Sequence, residues 1–184
     1  MFKQIISALV LAWSSLLAFA QEPPKLPLLP IAKLDVARYM GSWYEIAKYP
    51  NFFQRKCASN TVAQYSPLPD GTVRVFNKCV QEDGKPIDAL GQARQIGDAM
   101  SPKLEVRFAP AWLSFLPFVW GNYWVIDIDT DYQLVAVSEP KREYLWILSR
   151  TPEVSAKAYD ELLVRLEKRG FDLKRLEKSK QTKP

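Results

Sequence analysis

Two cysteines and no histidine bound the chemistry open to this 184-residue chain. Without an imidazole there is no Ser-His-Asp or Cys-His nucleophilic machinery. With Cys57 and Cys79 as the only thiols, a zinc site lacks its ligand set. No metal and no cofactor is expected. In an exported chain an even pair of cysteines is most simply one disulfide, with a redox-active pair as the alternative. Among the carboxylates Glu45 stands out, because it lies inside the apolar run 43–49 (WYEIAKY), where burial demands a partner or a raised pKa.

The start of the chain bears on export. Met1-Phe2-Lys3 precedes an apolar run from Ile5 to Phe19, and Ala18-Phe19-Ala20 fits a small-x-small cleavage rule. Residues 1–20 therefore read as a secretory signal, with a retained N-terminal anchor as the alternative. The run is short for a membrane span, and no cysteine follows it that lipid could modify. The expectation is an exported, soluble, periplasmic protein, associated with the outer membrane, if at all, without a lipid anchor. Residues 21–33 read as a proline-rich leader, with four prolines in 21–30. The net charge of +5 owes much to a basic end: Lys168, Arg169, Lys174, Arg175, Lys178, Lys180 and Lys183. A solvated helix face with a basic tail (177–184) accounts for it, and attraction to anionic headgroups is the sharper alternative. No nucleic-acid partner is expected of an exported chain.

The elements that must position these residues are mostly strands. Asp35 can cap one short helical turn that Gly41 ends with a positive φ. Short β-patterned runs then follow at 43–49, 57–66, 72–80, 87–96, 103–108, 122–129, 132–137 and 143–149, each joined by a local turn. Eight such strands in up-and-down order most naturally close into an antiparallel barrel, which removes exposed edges. Runs 122–129 and 143–149 are apolar at both parities, as strands covered on both faces should be. Thr151-Pro152-Glu153 then reads as a helix start and Gly170 as its stop. Val154, Ala158, Leu162, Leu163 and Leu166 recur at helical spacing, so this helix needs the barrel's outer wall to lie on. Residues 171–173 can add a short ninth strand.

Three separated segments carry a resemblance: Gly41-Ser42-Trp43 entering the first strand, Asp129-Thr130-Asp131-Tyr132 between the sixth and seventh, and Arg150 closing the eighth. In this order, ahead of a terminal helix, they resemble the lipocalin family, in particular its bacterial group similar to apolipoprotein D, in a non-lipidated form. The resemblance spans roughly 34–176. It implies that Trp43 marks the closed end of the barrel, with the guanidinium of Arg150 stacked on it. Asp131 and Tyr132 then belong to a structural turn at the same end.

Counting strand directions from Trp43 places everything else. The loop 50–56, with Phe52 and Phe53, falls at the mouth. Cys57 and Cys79 fall at the upper ends of neighbouring strands, where a disulfide would brace that mouth. With Trp43 pointing in, alternation turns Glu45, Ala47 and Tyr49 inward on the first strand, Thr61, Ala63 and Tyr65 on the second, Val75 and Asn77 on the third, and Gly91 and Ala93 on the fourth. Tyr123 and Trp146 are further wall candidates. These small residues with a few tyrosines suit a ligand pocket, and a filled core is the alternative. Loop 109–121 (APAWLSFLPFVWG) lies at the open end and carries Trp112, Leu113, Phe115, Leu116, Phe118 and Trp120. It reads as an apolar lip for membrane contact, with a homodimer interface or an inward-folded lid as alternatives.

The main functional expectation is binding, storage or transport of small apolar or amphiphilic ligands such as fatty acids or lysophospholipids in the cell envelope, not catalysis. An enzyme acting on an apolar substrate through Glu45 or the cysteine pair is one alternative. A protein-docking module without ligand is the other.

Overall fold

Gly41 is where the barrel begins. In the computed structural model, which describes residues 26–182, helix α1 (Val36–Tyr39) is capped by Asp35, whose carboxylate accepts the Arg38 N–H at 3.1 Å. Gly41 then reverses the chain at φ +96°, and a Cβ there would meet the Arg150 guanidinium at 3.3 Å. Eight strands follow: β1 (Gly41–Lys48), β2 (Ser59–Pro67), β3 (Val73–Val80), β4 (Pro86–Gln95), β5 (Lys103–Arg107), β6 (Gly121–Ile128), β7 (Leu134–Ser138) and β8 (Leu145–Ser149). All neighbours are antiparallel in sequence order, and β1 pairs with both β8 and β2, so the sheet closes. The expected eight-stranded up-and-down barrel is therefore present. The expected export signal lies outside the described residues, as does the leader before residue 26.

Two apolar clusters share the strands. One fills the lower barrel with Leu34, Tyr39, Trp43, Tyr65, Val73, Val125, Val135 and Leu148. The other lies outside, where Ile126, Leu145 and Ile147 meet Tyr159, Leu162 and Leu166 of helix α2 (Ala156–Lys168). Strands β6 and β8 are apolar at both parities because each serves both clusters. On the outer wall Arg165 of α2 also reaches Asp127 of β6 with two bonds of 2.9 Å.

Two local expectations need correction. The helix does not start at Thr151-Pro152. Ser155 is its N-cap, accepting the Ala158 N–H, while the Thr151 hydroxyl donates to the Glu153 carbonyl. The intervening residues are spent carrying the chain from the closed end to the outer wall. The ninth strand is not at 171–173 either. Phe171 anchors in the outer cluster and Asp172 caps a 3₁₀ turn at Leu173–Arg175, so the strand β9 comes later, at Glu177–Lys178, against Ala47 and Lys48. Beyond it the chain stays on the barrel. The Ser179 N–H donates to Ile46, and the Gln181 amide donates to the carbonyls of Glu45 and Thr61. Asn60 and Thr182 exchange bonds across the same seam.

Candidate functional site

The closed end is built around Trp43. Its ring is buried and its Nε1–H donates to the Tyr39 carbonyl at 2.8 Å. The Arg150 guanidinium lies 3.8 Å from the ring centroid and donates to the carbonyls of Arg38, Ser42 and Tyr132. One side chain thus ties α1, β1 and the β6–β7 turn together. In that turn Tyr132 adopts φ +59° and its hydroxyl accepts the Asp35 N–H. The turn is held by Asp129, whose carboxylate accepts from the backbone of Asp131, Gln133 and Leu134. Asp131 is exposed and contributes its backbone. An acidic residue three ahead of a Tyr reads equally well as strand end or turn cap, so sequence spacing could not single out Asp129.

Above this base the interior changes character. Ala63, Asn77, Gly91, Val106, Tyr123 and Trp146 all turn toward the barrel axis yet remain only partly buried, whereas Trp43, Val125 and Val135 beneath them are sealed. The upper barrel is therefore less tightly sealed than the plug beneath it. Tyr65, Val75 and Ala93 belong to the plug itself. Gly91 makes room for a mouth residue: a Cβ there would lie 2.8 Å from the Phe108 ring. Two clefts of about 660 and 340 Å³ lie elsewhere, one beside α2 and one at the seam lined by Lys48, Gln54, Thr61 and Lys178.

Ala47 and Tyr49 do not face the barrel interior. Register between β1 and β8 slips between Glu45 and Ala47, so Glu45 opposes Leu148 but Ala47 opposes Ile147. That bulge inverts the alternation for the rest of the strand. Ala47 and Tyr49 pack with the outer cluster instead, where the Tyr49 hydroxyl donates to the Asp172 carbonyl. Lys48 takes the inward position opposite Trp146.

Glu45 is 2% exposed and fully engaged. It accepts from Lys48 Nζ at 2.9 Å, Gln54 Nε2 at 2.5 Å and Ser179 Oγ at 2.6 Å. The Gln54 carbonyl in turn accepts the Trp146 Nε1–H at 2.9 Å. Lys48, Gln54 and Ser179 were not foreseen as neighbours of this acid, since each arrives through the bulge, the mouth loop or the chain end. Thr61, buried at the seam, lines the same cleft.

Three phenols meet at the top of the plug, on the floor of the upper barrel. The Tyr123 hydroxyl lies 2.7 Å from that of Tyr39 and 3.0 Å from that of Tyr65. Burial pushes all three above the ordinary phenol range, Tyr65 up to about 12, so they stand protonated at neutral pH. Tyr39 escaped the strand-parity reading because it comes from α1, which has no parity.

At the mouth Cys57 and Cys79 form a disulfide with Cα atoms 5.5 Å apart. The β5–β6 loop makes two 3₁₀ turns, Ala111–Leu113 and Pro117–Val119. Its base is pinned by Trp120, which lies under Arg94 and Arg107 and donates to Ser114. Leu113 and Leu116 are half-buried, while Trp112, Phe115 and Phe118 are 72, 75 and 79% exposed. Phe52 and Phe53 of the β1–β2 loop add two more exposed rings.

Known proteins share this architecture. Residues 34–181 match a lipocalin-like domain. The chain is 41% identical to temperature-induced lipocalin-1 of Arabidopsis thaliana, over 81% of this chain and 80% of that protein. It is 34% identical to the outer membrane lipoprotein Blc of Citrobacter freundii, over 94% and 93%, and 31% identical to mouse apolipoprotein D, over 83% and 80%. Among solved structures, insecticyanin of the tobacco hornworm superposes with a TM-score of 0.62 at 20% identity, covering 84% of each chain. A matching domain over most of the length, relatives above 30% identity and a closed barrel bolted by Arg150 on Trp43 lead to one conclusion: the chain belongs to the lipocalin family, whose members typically bind small hydrophobic ligands.

Proposed function

We propose that this lipocalin binds, stores or carries fatty acids, lysophospholipids or related amphiphiles in the cell envelope, with the apolar chain in the upper barrel. The observation that carries this reading is the partial exposure of inward-facing Ala63, Asn77, Tyr123 and Trp146 above a sealed plug. Tyr65, Val75 and Ala93 would close the lower wall, and Glu45 and Thr61 would border the entrance. Export to the periplasm is consistent with the disulfide and with the relative named as an outer membrane lipoprotein. Among the described residues no helix is long and apolar enough to cross a membrane. Displacement of an environment-sensitive fluorescent fatty acid, with native mass spectrometry of lipids carried through purification, tests the reading. A protein that neither shifts the fluorescence nor retains lipid would leave a docking module as the better account.

The exposed rings of Trp112, Phe115 and Phe118, with Phe52, Phe53, Arg55 and Lys56 on the β1–β2 loop, support transient contact of the lip with an anionic membrane surface. Leu113, Leu116 and Trp120 would hold the lip in shape. Serine at 112, 115 and 118 should weaken vesicle association, and a concentration-dependent change in oligomeric state would favour a homodimer instead. An enzymatic role is disfavoured by the state of the available groups. Both thiols are in the disulfide, Glu45 is bound by three partners, and the phenols are held protonated.

A further inference from the structure

The three floor phenols carry three hydroxyl hydrogens but make only two contacts, Tyr39 to Tyr123 and Tyr65 to Tyr123. Each contact consumes one hydrogen, so one O–H is always left over. Among the described residues no acceptor takes it. Stacking of Tyr39 on Tyr65, with ring centroids 5.6 Å apart and planes 14° apart, keeps both hydroxyls on the same side, facing Tyr123. Tyr123 is the partly exposed member of the cluster, whereas Tyr39 and Tyr65 are sealed. On β3 the side-chain carbonyl of Asn77 is buried without a hydrogen-bond partner. Asn77 lies one inward position nearer the mouth than Val75, which itself opposes Tyr65. An amide can turn over to offer either N–H or C=O, so Asn77 can serve a hydroxyl or a carbonyl. An apolar cavity that keeps an unspent donor and an unpaired amide is poorly matched to a plain hydrocarbon end, because both groups stay unsatisfied beneath it.

We propose that the Tyr39–Tyr65–Tyr123 cluster and Asn77 form a binding site for an uncharged oxygen, a hydroxyl or a carbonyl, carried at the buried end or along the chain of the cavity's ligand. The preferred ligand class is thus an amphiphile with a second, neutral oxygen function, its charged head remaining at the mouth. A carboxylate seated on the floor fits poorly: Arg150, the cationic side chain at the closed end, is stacked on Trp43 and spent on three backbone carbonyls. This site rests on the reading of the upper barrel as a lipid cavity.

The test compares straight-chain fatty acids of 10 to 16 carbons with their terminally hydroxylated counterparts, by displacement of a fluorescent fatty acid. In an apolar pocket the added hydroxyl loses water without return and weakens binding by about tenfold or more. In the wild-type protein at least one chain length should bind as tightly with the hydroxyl as without it. In Tyr123→Phe the affinity of that hydroxylated acid relative to the plain acid should fall about tenfold. Tyr65→Phe and Asn77→Leu should act in the same direction, and melting curves report whether each variant folds. A hydroxyl penalty of tenfold or more at every length in the wild type, or one unmoved by any of the three variants, overturns the site while leaving the lipid cavity intact. Failure of every acid to displace the probe overturns both.

Discussion

Arg150 sits with its guanidinium carbon 3.8 Å from the centroid of the Trp43 ring while its nitrogens donate to three carbonyls from three separate elements. The stack places charge on the face of a ring that is otherwise sealed, and the three bonds fix its angle. Arg150→Ala should lower stability by about 2–4 kcal/mol, combining the cation–π term with the stranded carbonyls. Arg150→Lys should recover little, because an ammonium cannot stack flat and fork to three acceptors. Urea unfolding of both variants measures this, and a change below about 1 kcal/mol would show that the bolt is decorative.

The Cys57–Cys79 bridge spans 22 residues and joins the approach to β2 with the upper end of β3. Replacing both by alanine should cost about 3 kcal/mol through the freed unfolded chain. Ligand affinity should change little, since the bridge braces the mouth and lies beyond Asn77 on β3, away from the floor phenols. Free-thiol titration of the protein purified without reductant should find no reactive sulfhydryl. Two reactive sulfhydryls would contradict the bridge.

Stability should fall at alkaline pH in a way traceable to the floor phenols. Burial raises Tyr65 from an ordinary value of 10.0 to about 12. Between those values the unfolded state gives up its proton while the folded state keeps it, so folding is fully supported below pH 10 and loses support up to about pH 12. The full loss approaches about 3 kcal/mol for this one group. Tyr39 and Tyr123 shift in the same direction. Unfolding at pH 8 and pH 11 should show a smaller drop for Tyr65→Phe than for wild type. An equal drop would mean that Tyr65 titrates normally.

Glu45 and Lys48 form an ion pair with only 2% and 14% of their side chains exposed. Glu45→Ala leaves Lys48 without its anion and Gln54 and Ser179 without their acceptor, so a loss of about 3–5 kcal/mol is expected. Adding Lys48→Met should return part of that loss, because the orphaned charge is gone. A double-mutant cycle by chemical denaturation gives the coupling. Additive effects would show that water already screens the pair.

Much of this was legible from residue type and order. Alternation and turn chemistry mark the eight strands, and the apolar period from Val154 to Leu166 marks a helix that must lie on a wall. The pairing of Trp43 with Arg150 follows from counting strand directions between two residues that the lipocalin pattern links. What escaped was set by single-residue irregularities. The bulge after Glu45 turned Ala47 and Tyr49 outward and brought Lys48 in, and no residue type in that stretch announces it. The helix began at Ser155 rather than Thr151 because two start signals stood four residues apart and only the path to the outer wall chose between them.

The sequence by itself determined the barrel, its closed end and the bridge at its mouth, because these depend on periodicity, composition and order along the chain. Tertiary structure alone decided the site. Tyr39 from a helix and Tyr65 and Tyr123 from strands 58 residues apart come together only when the sheet closes. Ser179 and Gln54 reach Glu45 for the same reason. Hydrogen bonds saturate, so which donor is left unspent is a count over three-dimensional neighbours, and that count has no counterpart in one dimension.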